Sequence, residues 1–365
     1  MKKTILHIID NLGRGGAETM LVTVIKQLPD YNHIIVTLRP ENEFGNEVQC
    51  DKYFCLHLKK ILTPLAVLKL KKIIRENNVS MVHSHLFWST IVARLAVPKN
   101  IPLLTTIHAF VASSIEYRPW RMRVMEKLTY MVRKSTIIAV AKGALNEYFR
   151  FINIKPHSAY HLYTFVDTDV FNQAIKKQLQ PGDSFRIVTV GNLKEQKNHR
   201  FLLEAFKELK NENITLDIYG KGPLEEELQQ TIKDHNLKVT LKGQAPDIQN
   251  KVGQYDLFVM SSLYEGFALS VLEAMAMGMP LLLSDISSFK EQCDTTATYY
   301  TLNDTKDFAA KLLALKNNKA QLEDNGVAAK ARVLNNFTLQ KHIKHLKEIY
   351  AAAFKDTRSQ AVHSL

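Results

Sequence analysis

Two glutamates bracket seven uncharged residues in Glu265-Gly266-Phe267-Ala268-Leu269-Ser270-Val271-Leu272-Glu273, and this segment is the strongest candidate for holding a ligand. If a helix starts at Ser270, its free amides point toward an anion, and Glu273 one turn in can accept hydrogen bonds from a neighbouring hydroxyl pair. A structural alternative exists, because Ser270 and Glu273 also spell a Ser-x-x-Glu capping box. That alternative accounts for Glu273 but not for Glu265, which follows an apolar run with no cation nearby in the sequence. Lys197 stands just before a helix beginning near His199, where a cation gains nothing from the helix dipole. A bound diphosphate is a better reason for it, with a solvated loop lysine as the alternative. Gly191 and Asn192 lead into this loop, and Tyr219-Gly220-Lys221-Gly222-Pro223 forms a second turn that could admit a phosphate.

Near the start, Asn11-Leu12-Gly13-Arg14-Gly15-Gly16-Ala17-Glu18 could bring the backbone amides of Gly15 and Gly16 to a phosphate or sugar. It is not a dinucleotide fingerprint, because Glu18 stands where a third Gly or an Ala is required, and a tight strand-to-helix turn explains it equally well. Two other patterns carry less. Asp167-Thr168-Asp169 spells a metal-binding Asp-x-Asp, but not at a nucleotide-site strand end. His83 and His85 share a face of a strand without a carboxylate or cysteine at ligand spacing, so no metal is expected.

Short β-rich runs alternate with amphipathic segments of helix length along the chain, the pattern of parallel sheets with crossover helices. Strands are predicted near 4–9, 33–38, 81–83, 103–107 and 137–140, then near 186–190, 215–219, 239–241, 257–260 and 280–283. Residues 173–183 are polar, contain Pro181-Gly182 and read as a connection between domains. The predicted organisation is α/β: an N-terminal domain at 1–165, a linker at 166–184, a C-terminal domain at 185–340, and a helix with a frayed tail at 341–365 that could return to the N-terminal domain. In open sheets of this kind ligands sit beyond the carboxyl ends of the strands, which is where the loops above fall.

The 365 residues, 46% of them apolar, suffice for two cores. Cys50, Cys55 and Cys293 lack zinc or redox spacing and suit a reducing cytoplasm. The apolar run at 5–9 contains His7 and stops at Asp10, too short for a secretory signal. The most apolar stretch, 257–283, carries Glu265 and Glu273, so no membrane span is expected. The net charge of +12 lies in one half: residues 1–165 hold 23 Lys and Arg against 11 Asp and Glu, while 166–365 hold 25 of each. A basic half favours an anionic partner. Within 117–134, Trp120, Val124, Leu128 and Met131 fall on one helical face and Arg123, Lys127 and Lys134 on another. Such a helix ordinarily lays its apolar face on a sheet, and the sharper alternative is an anionic membrane surface.

The order of these motifs resembles that of the retaining family 4 (group 1) glycosyltransferases of the GT-B fold, from the Gly13–Gly16 loop to the C-terminal helices. The most specific element is Glu-x7-Glu continuing as Glu-Ala-Met-Ala-Met-Gly-Met-Pro at 273–280. The resemblance implies two Rossmann-like domains facing a central cleft. It implies that Glu273 holds the ribose, Glu265 the transferred sugar and Lys197 the diphosphate, with amides of Phe267, Ala268, Leu269 and Ser270 on the sugar or phosphates. It places the base at Gly243 and Gln244 and brings His108 to the donor sugar. Two departures stand out. The family usually has Arg where this chain has Asn192, and Asn-Gly where it has Thr164-Phe165.

The activity implied is transfer of a sugar from a nucleotide diphosphate, with UDP the first expectation, to a glycan or lipid-linked acceptor. Configuration is retained and no metal or other cofactor is expected. A nucleotide-sugar epimerase of the same shape is the enzymatic alternative. A basic nucleic-acid-binding protein is the other alternative, although no aromatic-rich recognition motif accompanies the charge, and nucleic acid is not the expected partner.

Overall fold

The computed structural model describes residues 2–58, 64–112, 114–171 and 183–362. The predicted connection at 173–183 thus falls almost entirely outside the described residues. The chain divides into two compact units, Met1–Thr164 with Gln340–Leu365, and Phe165–Leu339.

The first unit holds β1 (Lys3–Ile9), α1 (Gly16–Lys26), β2 (Tyr31–Thr37), β3 (Lys52–Cys55), α2 (Pro64–Glu76), β4 (Met81–His85) and α3 (Phe87–Ala96), followed by β5 (Leu103–Ile107), α4 (Trp120–Val132), β6 (Thr136–Ala139), α5 (Lys142–Ile152) and β7 (Ser158–His161). Its seven strands lie in the order β3-β2-β1-β4-β5-β6-β7, every pair parallel. β4 and β5 are buried along their whole length, as expected of parallel strands covered on both faces.

The second unit holds β8 (Phe185–Val190), α6 (His199–Glu208), β9 (Ile214–Tyr219), α7 (Glu225–Asp234), β10 (Val239–Gly243), α8 (Gln249–Val252) and β11 (Leu257–Met260). It continues through α9 (Leu269–Ala276), β12 (Leu281–Ser284), α10 (Ser287–Cys293), β13 (Thr298–Tyr300), α11 (Thr305–Lys316) and α12 (Lys319–Asn336). Its six parallel strands run β10-β9-β8-β11-β12-β13. Strand order therefore reverses between β1 and β4 in the first unit and between β8 and β11 in the second, where diverging crossovers leave an opening for a ligand.

α13 (Leu339–Val362) packs on the first unit, where Tyr350 Oη meets His83 Nδ1 at 2.9 Å and His342 Nδ1 meets the Tyr163 carbonyl at 2.8 Å. The helix continues to Val362, past the point where a frayed tail was expected.

α4 contradicts the expectation that its apolar face covers the sheet. Trp120, Val124, Leu128, Met131 and Val132 are 42–67% exposed, whereas Glu126, Thr129 and Tyr130 are buried. The cause is an ion pair. Arg94 of α3 is wholly buried and bonds Glu126 at 2.8 Å, while Tyr148 of α5 donates to Glu126 at 2.5 Å and accepts from Arg94 at 3.2 Å. A buried guanidinium requires a partner, so the polar side of α4 turns inward and the apolar stripe is left outside.

Candidate functional site

In the second unit the loops after β8 and β11, the two strands flanking the order reversal, are stitched together. Leu263 N–H donates to the Gln196 carbonyl at 2.9 Å, and Ser261 Oγ donates to the Lys197 and Asn198 carbonyls at 2.9 and 3.0 Å. Lys197, at the end of a short 3-10 turn before α6, thereby reaches Glu265 with Nζ–Oε1 at 2.6 Å. Ser262 Oγ donates to the same oxygen at 2.7 Å, and Gln196 approaches the other at 3.4 Å. This corrects the expectation that Glu265 stands without a cation. Its partner lies 68 residues away, where no local sequence pattern could show it.

The backbone packed against Lys197 leaves little room for side chains. A Cβ on Gly191 would press on the Lys197 stem at 3.2 Å, and one on Gly220 (φ +151°) would collide with the Gly191 carbonyl. Gly220 N–H in turn donates to the carbonyl of Gly243 (φ +68°) at 2.9 Å, so the ends of β8, β9 and β10 close into one floor. Asn192 and Gln244 are exposed at its edge. Arg200, in the first turn of α6, pairs with Glu195 and Glu227, so it does not replace the cation that Asn192 lacks.

α9 begins at Leu269 with Ala268 as its N-cap, and no side chain caps it. The Ser270–Glu273 capping box is therefore not formed: Ser270 already lies inside the first turn, two residues past the N-cap position. The amide of Ala268 is also taken, because Gln292 of α10 bonds its N–H and its carbonyl at 3.0 and 2.9 Å. Sequence reasoning missed Gln292, Gln196 and Ser262. Leu269 and Ser270 contribute first-turn amides that have no acceptor within their own helix. Gly266 and Phe267 are buried between β11 and α9. Glu273 keeps some open surface, yet protein atoms crowd its carboxyl and desolvation pushes its pKa up to about 7. The buried imidazole of His199 is pushed down to about 4 by burial and by Lys197, against contacts with the Asn192 and Gly191 backbone that act the other way.

Gly15, Gly16 and His108 belong to the first unit. Gly15 is the N-cap of α1; its N–H, proposed for an anion, is already given to the Gly13 carbonyl at 2.9 Å, and the Glu18 carboxylate occupies the space a Cβ on Gly15 would take. His108, after β5, meets His85 Nδ1 at 3.2 Å and is pushed down to about 4 by burial and by His342, leaving a neutral imidazole. It lines a cavity of about 160 Å³ together with Asp10, Leu86, Ser114 and Glu116. Asp10 was not singled out in the sequence. It directly follows β1, accepts from Ser89 N and Oγ at 2.9 and 2.5 Å, and its pKa is raised by burial despite those bonds. Leu86, at the same strand-end position after β4, holds φ +67°, a strained value for leucine.

His7, His83 and His85 bring nitrogens within 4.8 Å of one another. Both nitrogens of His83 are already engaged, with Tyr350 and with Thr106 at 2.7 Å. Asp167 accepts from Asp169 N at 3.1 Å within a turn.

Two Rossmann-like parallel sheets, the second with a glycine-floored set of loops at its strand ends, define an architecture of GT-B type. The family model for glycosyl transferases group 1 matches residues 170–332, and that for glycosyltransferase family 4 matches 14–170. A UDP-Gal:alpha-D-GlcNAc-diphosphoundecaprenol alpha-1,3-galactosyltransferase of Escherichia coli is 26% identical over 322 residues, covering 81% of each chain. The putative glycosyltransferase EpsF of Bacillus subtilis is 27% identical over 319 residues, 80% of this chain and 81% of that one. Among solved structures, Anabaena Alr3699/HepE in complex with UDP and glucose superposes with a TM-score of 0.81 at 16% identity, over 95% of this chain and 99% of that one. The chain belongs to the family 4 (group 1) glycosyltransferases. This assignment does not favour the epimerase or nucleic-acid readings.

Proposed function

We propose that this glycosyltransferase takes the sugar of a UDP-sugar and places it, with retained anomeric configuration, on a lipid-linked or glycan acceptor in polysaccharide or glycoconjugate synthesis. The observation that carries the reading is the convergence of Lys197 and Glu265 at the order reversal of the second unit. Breaking a glycosyl–phosphate bond puts negative charge on the departing diphosphate, and a fixed ammonium beside helix amides stabilises it most in the transition state. Lys197 supplies that charge, with the amides of Leu269 and Ser270. Glu273 accepts hydrogen bonds from the ribose and Glu265 from the transferred sugar, while Gly243 and Gln244 border the base. In the first unit the cavity of His108, Asp10 and Glu116 takes sugar hydroxyls. The acceptor class is supported by relatives named for diphosphoundecaprenol-linked substrates, and the base by HepE complexes with UDP-glucose.

The reading is metal-free. Lys197 supplies the charge otherwise given by a cation, and the histidine group offers no carboxylate and a His83 already engaged at both nitrogens. The three thiols are unpaired, as suits a cytoplasmic enzyme.

A thermal-shift screen against UDP-, GDP- and ADP-sugars tests the donor, since a ligand raises stability with the logarithm of its concentration over Kd. A shift with UDP-sugars alone is expected, followed by label transfer to a lipid-diphosphate-linked sugar. Formation of a free epimeric sugar without acceptor would overturn the transferase reading.

A further inference from the structure

The outer face of α2, α3 and α4 is apolar and basic at once. α2 packs against α3 and α3 against α4. On α4 the outward stripe Trp120, Val124, Leu128 and Met131 follows the i, i+4, i+8, i+11 spacing of one helix side, and Leu65 and Leu68 of α2 and Leu95 of α3 are exposed as well, with Leu68, Leu95 and Val132 of α4 lining one groove. The buried Arg94–Glu126 pair fixes this orientation. At the end of α4 opens a groove of about 920 Å³ whose cationic rim is Lys71, Lys72, Arg75, Lys99 and Arg133. Arg133 is held in place by the Ile101 carbonyl at 2.6 Å. No Asp or Glu is among the described residues lining the groove, although Lys72 of its rim meets Glu76 at 3.8 Å.

This combination selects its occupant. A convex helix ridge with an interfacial Trp suits the headgroup boundary of a bilayer, and clustered Lys and Arg beside it attract anionic lipid phosphates. A second copy of the chain would set two basic faces against each other. No helix among the described residues is long and apolar enough to cross a membrane.

We propose that the α2–α3–α4 face is a docking surface for an anionic phospholipid bilayer: the α4 stripe enters the interface and the basic groove holds lipid phosphates. The surface is separate from Lys197, Glu265 and Glu273, so the inference goes beyond the donor reading and does not depend on it.

The test is co-sedimentation of the full chain with vesicles of phosphatidylcholine alone and of phosphatidylcholine with phosphatidylglycerol. Binding to the mixed vesicles only is expected, fading with salt as screening grows. The triple variant Lys71→Glu, Arg75→Glu, Lys99→Glu should bind at least about tenfold more weakly, and so should Leu128→Ser with Met131→Ser, both with unchanged UDP affinity. Wild-type tryptophan emission should move to the blue on adding mixed vesicles, and Trp120→Phe should abolish that response. This readout stands even if a charge variant fails to fold. Equal binding to both vesicles, folded variants that bind like wild type, or no emission change would overturn the proposal. So would a dimer that disperses in Leu128→Ser, or tighter binding to duplex DNA than to mixed vesicles.

Discussion

At the scale of single residues, Lys197 and Glu265 are one unit of chemistry, and their variants should not behave alike. Lys197→Ala should lower kcat by about two to four powers of ten, because its charge matters most while the diphosphate departs. Single-turnover kinetics at saturating donor would show it, and near-normal turnover would remove Lys197 from the site. In Glu265→Gln the lysine loses its internal carboxylate, so affinity for the diphosphate should hold or rise while transfer is lost. Calorimetric titration with UDP beside an activity assay separates the two effects. A weaker UDP affinity in folded Glu265→Gln would show that the pair binds as a unit. Glu273 gives a dependence on pH. Its folded pKa of about 7 stands above the ordinary 4.5, so between these values the folded chain keeps a proton that the unfolded chain has lost. Stability therefore falls as pH rises through that window. Ribose hydroxyls favour the ionised carboxylate, so UDP binding should strengthen as pH rises through about 7. Glu273→Gln should flatten both trends, and persistence of both slopes in it would place the titrating group elsewhere. Lys197 and Glu265 draw attention in the sequence because each sits at a helix start or strand end without a local reason, whereas a capping box could account for Glu273. The pairing of Lys197 with Glu265 was not legible, since only the tertiary stitching of two loops creates it.

At the scale of elements, the central strands were legible, and of the four edge strands only β10 was, at Val239–Gly243 where 239–241 is predicted. β5 and β11 fall where apolar runs predict them, at 103–107 and 257–260. β3, β7 and β13 are short edge strands whose residues are mostly half-exposed, so no clear apolar run or alternation marks them. α4 shows how propensity is overruled: its periodicity is real, but the Arg94–Glu126–Tyr148 cluster determines which side goes in. Removing one partner should be costly. Glu126→Ala is expected to destabilise the first unit by about 3–5 kcal/mol, whereas Arg94→Met with Glu126→Leu should recover most of the loss. Melting curves of the single and double variants test this, and a silent Glu126→Ala would mean that another contact orients α4.

At the scale of the whole chain, the two units carry different electrostatic tasks. The half with all of the net charge contains the apolar and basic face of α2, α3 and α4, and the charge-balanced half holds the Lys197 loop. Composition showed the asymmetry, but not that α4 exposes its apolar stripe, which depends on a buried ion pair. The α/β alternation made both Rossmann-like sheets readable, because parallel strands must be separated by crossover helices. The central claim is that the order reversal of the second unit is a diphosphate site built on Lys197. The most direct measurement is the calorimetric affinity of wild type and Lys197→Ala for UDP and for UMP, which differ by one phosphate. Wild type should prefer UDP by roughly tenfold or more, a charge-assisted contact of about 1.5–3 kcal/mol, and Lys197→Ala should lose most of that preference. An undiminished preference for UDP in folded Lys197→Ala would contradict the account.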